Sequence, residues 1–240
     1  MYKAIIFDFD DTLTDRGELY RRYSHYIIDK YFHLPEGADK EEIVRLMCEW
    51  DKRGYSDRIE VNNRIIQRWN LPVTAEQLQD ELFYEGAKFT VLEENAIETL
   101  EYLKSKYKLG MITNGSPVFQ GNKIKASGLE KYFDDIIISG NVGVHKPAIE
   151  IFLLSCAHLG VLPQEAAYVG DQMQNDVLGA ENAGMTAVLY AKHLNAAYKN
   201  TIYNLCIILY NLLENSGRIF LLRYYFLSIC TVVFVKQVIE

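Results

Sequence analysis

The chain has 240 residues, of which 49% are hydrophobic and 24% are charged, and its formal net charge is −7. This composition is ordinary for a globular protein, and the length allows one large domain or two small ones with a substantial core. The negative charge disfavours a general nucleic-acid binder, because the phosphate backbone repels a protein of the same sign.

Cysteine usage and the start of the chain favour the cytoplasm. The four cysteines are widely scattered and form neither a CxxC pair nor a zinc-ligand spacing. Reduced thiols are therefore expected. No signal peptide precedes the first apolar run, so a cytoplasmic location is predicted.

Short apolar runs alternate with helical segments along the chain. The runs lack polar alternation, which is typical of strands covered on both faces. Five strands are predicted, at residues 4–7, 109–112, 136–138, 166–169 and 187–190. Helical spacing predicts a helix over residues 92–107. Proline and glycine signals predict a second helix that opens at Pro147 and ends before Gly160, and a third over residues 175–183 that ends at Gly184. Strand alternating with helix indicates an α/β fold with a parallel sheet flanked by helices.

Residues 15–90 interrupt this alternation, because they contain no convincing strand. Four helices are predicted there, around residues 17–33, 39–53, 57–69 and 75–88. Thr74 and Gln77 have the spacing of a capping box at the start of the last one. An all-helical insert is therefore predicted after the first strand. It divides the α/β core into residues 1–14 and 91–215.

The C-terminal tail, residues 216–240, is unusually apolar. Its most apolar stretch, residues 219–235, is interrupted by Arg223, and the uninterrupted part after this arginine is shorter than the roughly 20 residues that a membrane span needs. A packed helix or strand is the first interpretation of this tail. A membrane anchor or a contact surface is the alternative.

Polar side chains lie at or just beyond the ends of the predicted strands. The candidates are Asp8, Asp10, Thr113, Asn114, Lys146, Asp171 and Asp176. Parallel strands end at the same edge of a sheet, and ligands bind there. Crowded carboxylates are tolerable if they bind a hard divalent cation such as Mg²⁺. A lysine and a cation together attract a phosphoryl group.

These segments resemble the four motifs of the haloacid dehalogenase-like (HAD) hydrolase superfamily, on its phosphatase side. "DFDDTLTD" is similar to the first motif, DxDxT, and "ITNG" is similar to the second. "HKP" is similar to the third motif, and "GDQMQND" to the fourth, GDxxxxD. The motifs occur in family order, and the resemblance covers residues 1 to about 214. The resemblance implies a Rossmann-like core and a separate C1-type cap domain, which residues 15–90 form as an insertion after the first strand.

The resemblance implies a role for each carboxylate. Asp8 would be the nucleophile that forms an aspartyl-phosphate, and Asp10 would be the general acid and base. Mg²⁺ would be held by Asp8, by Asp10 through its backbone carbonyl, and by Asp171. Asp176 would support the metal site from nearby, either through metal-bound water or through Lys146.

The same resemblance assigns the phosphate-binding groups. Thr113 and the backbone N–H groups at Asn114 or Gly115 would hold the phosphoryl oxygens. Lys146 would balance the charge of Asp8 and of the phosphoryl group. Asp11 receives no catalytic role.

The implied activity is Mg²⁺-dependent hydrolysis of a small phosphomonoester. Resemblance to the nucleotidase-like and sugar-phosphatase branches makes nucleoside 5′-monophosphates the first substrate prediction and sugar phosphates the second. Asp10 argues against a dehalogenase, which typically lacks this second aspartate.

Other classes of protein stay open at this stage. One is a phosphomutase of the same superfamily, and another is a non-catalytic protein that binds a phosphorylated ligand. A phospho-accepting receiver domain is disfavoured, because such a domain is about half this length and carries its aspartate at the third strand. The expected partner is a small phosphorylated molecule rather than a nucleic-acid polymer, and the expected state is a monomer or homodimer.

Overall fold

A computed structural model describes residues 1–190 and the backbone of the strand Val233–Val235. The strands are β1 (Ala4–Phe7), β2 (Lys108–Thr113), β3 (Asp135–Ile138), β4 (Ala166–Gly170), β5 (Thr186–Tyr190) and β6 (Val233–Val235). The helices are α1 (Arg16–Tyr31), α2 (Lys40–Asp51), α3 (Arg58–Trp69), α4 (Ala75–Tyr84), α5 (Ala96–Lys104), α6 (Pro117–Ser127), α7 (Ser139–Val142), α8 (Ile149–Leu159) and α9 (Gly179–Asn182). A π-helix, Met173–Leu178, directly precedes α9.

The described residues fold into two compact units. The sheet unit consists of Met1–Leu13, Glu93–Gly115 and the described residues from Lys131 onward. The helical unit consists of Thr14–Leu92 and Ser116–Glu130. The prediction of an α/β protein with a parallel sheet is confirmed. The naming of residues 15–90 as a cap stays a prediction.

The sheet has the strand order β3-β2-β1-β4-β5-β6. The first five strands pair in parallel, and β6 pairs antiparallel to β5. All five predicted parallel strands are confirmed, each to within a residue or so at its ends. Because β1 to β4 run the same way, their carboxyl ends meet at one edge of the sheet.

The core of the sheet unit explains why its strands are apolar on both faces. In the register, Ile6 of β1 lies opposite Gly110 of β2 and Tyr168 of β4. A Cβ atom on Gly110 would lie 3.1 Å from side-chain atoms of Ile6 and of Leu159, so this glycine lets α8 pack closely on the sheet. Each fully buried apolar side chain of this kind contributes about 1.5–3 kcal/mol relative to exposure.

The helical unit confirms the predicted helices of residues 15–90. At the start of α4 the capping box is present in both directions, with Gln77 N–H donating to Thr74 Oγ1 and Thr74 N–H donating to Gln77 Oε1. The apolar stripes of α1 to α4 meet in one core, in which Tyr23, Met47 and Leu78 are almost completely buried. Packing of such stripes, more than helix propensity, stabilises short helices.

Helix α6 belongs to the helical unit and was not predicted. The ring of Phe119 in this helix stacks on the ring of Phe83, with the two ring centroids 5.1 Å apart. Asn122 Nδ2 donates a 2.8 Å hydrogen bond to the Phe83 carbonyl. Two other helices begin later than predicted. Helix α5 follows Asn95, whose φ of 61° is left-handed, and α8 begins at Ile149 rather than at Pro147.

The tail predictions largely lie outside the described residues. Of residues 216–240, only the backbone of β6 is described, beside β5. Within the described part of the chain, no helix combines the length and the apolar character needed to cross a membrane. Cys48 and Cys156, the two cysteines in that part, are free thiols. The oligomeric state stays a prediction.

Candidate active site

The predicted site residues lie at the carboxyl edge of the sheet. Asp8 follows β1 directly, and its backbone N–H donates a 2.8 Å hydrogen bond to the Val169 carbonyl, which continues the ladder beyond the strand. Thr113 is the last residue of β2 and is buried. Asp171 is the first residue after β4. The strand ends therefore fix the backbone positions of these three residues.

The ammonium group of Lys146 lies at the centre of the site. It donates hydrogen bonds to Asp8 Oδ1 at 2.6 Å, to Asp176 Oδ1 at 2.6 Å and to the Tyr168 hydroxyl oxygen at 2.8 Å. An ammonium group has three hydrogens, so each of them has an acceptor within the protein. Lys146 is only 5% exposed, which makes its two bonds to carboxylates strong.

Tyr168 is a site residue that the sequence pattern did not reveal. Its hydroxyl accepts from Lys146 and lies 3.1 Å from Asp176 Oδ1 and 3.3 Å from the Ile112 carbonyl oxygen, to either of which it can donate. Burial raises the pKa of this hydroxyl well above its ordinary value, so it stays protonated. The available signal was a hydroxyl group within a buried strand, three residues before Asp171.

The Asn114 side chain holds the backbone of Lys146. Asn114 Nδ2 donates to the Lys146 carbonyl and Asn114 Oδ1 accepts from the Lys146 N–H, both at 2.9 Å. This reciprocal pair orients the loop that carries the lysine. The neighbouring Gly115 N–H, one of the predicted phosphate donors, donates to Ser139 Oγ at 3.0 Å. Ser139 follows β3 directly and was not predicted either.

Three carboxylates come together at this edge. Asp8, Asp171 and Asp176 each offer an oxygen, and these oxygens all lie within 4.8 Å of one another. The Asp10 carboxylate is not one of these three. The resemblance to the family had assigned the backbone carbonyl of Asp10, rather than its carboxylate, as a metal ligand. The threonine of the first motif, Thr12, contacts the same carboxylate as Lys146: its hydroxyl donates a 3.3 Å hydrogen bond to Asp8 Oδ2.

Burial and mutual repulsion raise the pKa values of two of these carboxyls. Burial raises the pKa of Asp8 from 3.8 to about 7, a rise that Lys146 opposes and Asp176 reinforces. Burial also raises the pKa of Asp171 to about 8, with Asp8 and Asp176 adding to the rise. For Lys146, burial acts to lower the pKa, but Asp8 and Asp176 outweigh it and raise the pKa above its ordinary value. The lysine therefore stays charged.

The segment after β4 is shaped to present Asp176. Two successive N–H groups, those of Asp176 and Val177, donate to the Gln172 carbonyl at the start of the π-helix. The Gln172 N–H in turn donates to Asp176 Oδ2 at 2.9 Å. A Cβ atom on Gly170 would lie 2.4 Å from Asp176 Cγ, so only glycine leaves room for this carboxylate. A π-helix at a functional site is a recurrent feature of proteins.

The three carboxylates of Asp8, Asp171 and Asp176 form a set that suits a divalent cation. Asp171 Oδ1 is buried and has no hydrogen-bond partner among the described residues. Leaving such an oxygen unpaired costs about 1–3 kcal/mol, which a cation would offset. Both Asp176 oxygens are already hydrogen-bonded, whereas Asp171 has an open one. A set of carboxylate oxygens suits Mg²⁺, a hard cation.

Comparisons of the sequence and of the fold with known proteins found several similar proteins. The family described as haloacid dehalogenase-like hydrolase matches residues 5–190. A glyceraldehyde 3-phosphate phosphatase of Methanothermobacter thermautotrophicus is 31% identical over 208 residues, which cover 84% of this chain and 91% of that protein. An N-acylneuraminate-9-phosphatase of Rattus norvegicus is 30% identical over 203 residues, which cover 78% of this chain and 82% of that protein. The solved structure of a HAD phosphatase from Thermococcus onnurineus has a TM-score of 0.54 and 30% sequence identity, and the match covers 82% of this chain and 89% of that chain.

Proposed function

Because the chain belongs to the haloacid dehalogenase-like hydrolase family, we propose that it hydrolyses small phosphomonoesters through an aspartyl-phosphate formed on Asp8, with Mg²⁺ as cofactor. The predicted class of enzyme, a phosphatase of this family, is confirmed by the named relatives. The observation that carries the proposed mechanism is the 2.6 Å contact between Lys146 and Asp8. A buried cation there lets an anionic nucleophile approach an anionic substrate.

The proposed reaction has two steps at the phosphorus atom. In the first, the Asp8 carboxylate attacks phosphorus, the bond to the leaving oxygen breaks, and Asp10 gives that oxygen its proton. In the second, Asp10 takes a proton from a water molecule that attacks phosphorus, and the bond to Asp8 breaks. Phosphate leaves, and both aspartates return to their starting states.

Two groups are proposed to hold the phosphoryl oxygens. Thr113 ends β2 beside the Asp8 strand and supplies a hydroxyl. Lys146 supplies positive charge, held in place by Asn114 through the reciprocal backbone pair. Asn114 thus acts on the phosphate through the position of Lys146, because its side chain binds the backbone of that residue.

Asp8 and Asp171 are the proposed side-chain ligands of Mg²⁺. Asp171 offers the buried oxygen without a partner, and Asp176 is directed mainly at Lys146. Bound Mg²⁺ would supply positive charge that stabilises the phosphoryl group in the transition state. The metal would also keep Asp8 and Asp171 ionised despite their raised pKa values, because a carboxylate must be deprotonated to bind.

Sugar phosphates are the proposed substrate class. The two relatives described above are named for glyceraldehyde 3-phosphate and for the 9-phosphate of N-acylneuraminate. These names reverse the order expected from the sequence, in which nucleoside 5′-monophosphates came first. Nucleoside monophosphates therefore become the comparison group of the assay.

The test is phosphate release from sugar phosphates and nucleoside monophosphates, with Mg²⁺ and with EDTA. We expect Mg²⁺-dependent release, and Asp8→Asn should lower kcat by about 10³-fold or more, as removal of a nucleophile does. Asp11→Asn is the matched control, because Asp11 has a φ of 60°, which asparagine also tolerates. Full activity of Asp8→Asn would refute the mechanism. Isomerisation of a sugar phosphate without net release would indicate a mutase.

A further inference from the structure

The ring of Tyr168 is fixed by the core of the sheet unit. The residue is completely buried in β4, and its ring meets the edge of Phe152 with centroids 5.0 Å apart at 74°. Phe152 is itself held against Gly179, where an added Cβ would lie 2.7 Å away. A ring packed this tightly has one orientation. The position of the hydroxyl is therefore set by packing.

The acceptors of Lys146 are not equivalent. Two are carboxylates, Asp8 and Asp176, and the third is the neutral hydroxyl of Tyr168. A hydrogen bond from an ammonium group to a carboxylate is stronger than one to a neutral oxygen. When a phosphoryl oxygen approaches Lys146, the bond that is given up most readily is the one to Tyr168.

Tyr168 tolerates the loss of that bond. Its own hydrogen has two acceptors within reach, Asp176 Oδ1 and the Ile112 carbonyl. The hydroxyl therefore remains hydrogen-bonded as a donor after Lys146 turns away. Phenylalanine would fill the same space in the core but would offer Lys146 no acceptor.

We propose that Tyr168 is a positioning residue that competes with the phosphoryl group for the third hydrogen of Lys146. This competition weakens the binding of inorganic phosphate, the product, and so favours its release. It rests on the proposed function, because it assigns Lys146 to the phosphoryl group. Tighter binding of the substrate or of the product does not raise kcat. A hydroxyl that competes with phosphate for Lys146 is therefore useful in a hydrolase, which must release phosphate after each turnover.

The test is a double-mutant cycle on phosphate binding in the presence of Mg²⁺, measured by calorimetry. Tyr168→Phe should bind inorganic phosphate about three- to tenfold more tightly, the effect of one competing hydrogen bond. The KM for substrate should fall in parallel. In the Lys146→Met background, Tyr168→Phe should leave phosphate binding unchanged, because the competing donor is absent.

Tyr132→Phe is the matched control. Tyr132 is also buried in the sheet unit, and its hydroxyl donates to Glu101, away from the site. This variant should bind phosphate like the unsubstituted protein. If Tyr168→Phe does not fold, 3-fluorotyrosine placed at position 168 weakens the acceptor with little change of volume, and it should tighten phosphate binding in the same direction.

Three results would overturn the inference. They are weaker or unchanged phosphate binding by Tyr168→Phe, an equal effect of that change with and without Lys146, and no phosphate binding by the unsubstituted protein. Turnover is not needed for this comparison. Failure to hydrolyse any phosphomonoester would therefore refute the proposed function separately, while the binding cycle would still decide the role of Tyr168.

Discussion

Replacing Asp171 with asparagine is expected to stabilise the metal-free protein at alkaline pH while it weakens Mg²⁺ binding. Burial, with Asp8 and Asp176, raises the pKa of Asp171 from 3.8 to about 8. Between these two pH values the folded protein keeps a proton that the unfolded chain has released. The free energy of unfolding therefore falls as the pH rises through this window, and the full cost is present above pH 8.

The cost in the free energy of unfolding follows from the size of the pKa shift of Asp171. A shift of about four pKa units corresponds to about 6 kcal/mol at 1.36 kcal/mol per unit. This is an upper limit, since Asp171 is only partly buried and water screens its charge, and we expect about 1–3 kcal/mol. Asparagine keeps the shape of the side chain and removes the charge. For a chain of this length, the melting temperature should rise by about 2–4 °C for each kcal/mol.

The assay is thermal unfolding in EDTA at pH 9 and at pH 5. Asp171→Asn should melt higher than the unsubstituted protein at pH 9, and the difference should shrink at pH 5. Added Mg²⁺ should raise the melting temperature of the unsubstituted protein more than that of the variant. Asp80→Asn, on α4 in the helical unit, is the control for a change of net charge. An equal or lower melting temperature of Asp171→Asn at pH 9 would refute this reasoning.

Three further predictions concern the lysine loop and the helical unit. Asn114→Ala removes both hydrogen bonds to the Lys146 backbone, so kcat/KM should fall by about 10–100-fold, as for other supporting residues; an unchanged value would contradict the role of Asn114. Asp51→Ala leaves the largely buried Arg58 without its carboxylate partner and should lower the free energy of unfolding by about 3–5 kcal/mol, measured in urea. Thr74→Ala removes the N-cap of α4 and should cost about 1 kcal/mol in the same assay, while activity persists.

The sequence was informative where local chemistry decides the structure. The apolar runs predicted the strands because strands covered on both faces exclude most polar side chains, as β1 does. The capping box predicted the start of α4 because its two hydrogen bonds involve residues three apart. Motif order predicted that Asp8, Lys146 and Asp171 share one edge, because that edge is a property of the parallel topology.

The sequence was uninformative where partners are distant along the chain. Tyr168 contacts Lys146, 22 residues away, and its hydroxyl in a buried strand has no local pattern. The sequence placed Asn114 at a phosphate site but did not reveal that the Lys146 backbone uses both of its amide atoms. Helix α6 was missed because glycine and polar residues weaken its apolar pattern, and its contact with Phe83 is tertiary.

The space beside Gly170 has a consequence for how freely this chain can vary. A single methyl group there would lie within 2.4–2.6 Å of three atoms of Asp176, and Asp176 cannot retreat without releasing Lys146 and the Gln172 N–H. In a saturation library, position 170 should accept glycine alone when variants are selected for activity. Position 121, where an added Cβ meets nothing within 4 Å, should accept alanine in the same selection. The contrast would separate a glycine kept for room from one that is merely tolerated in a helix.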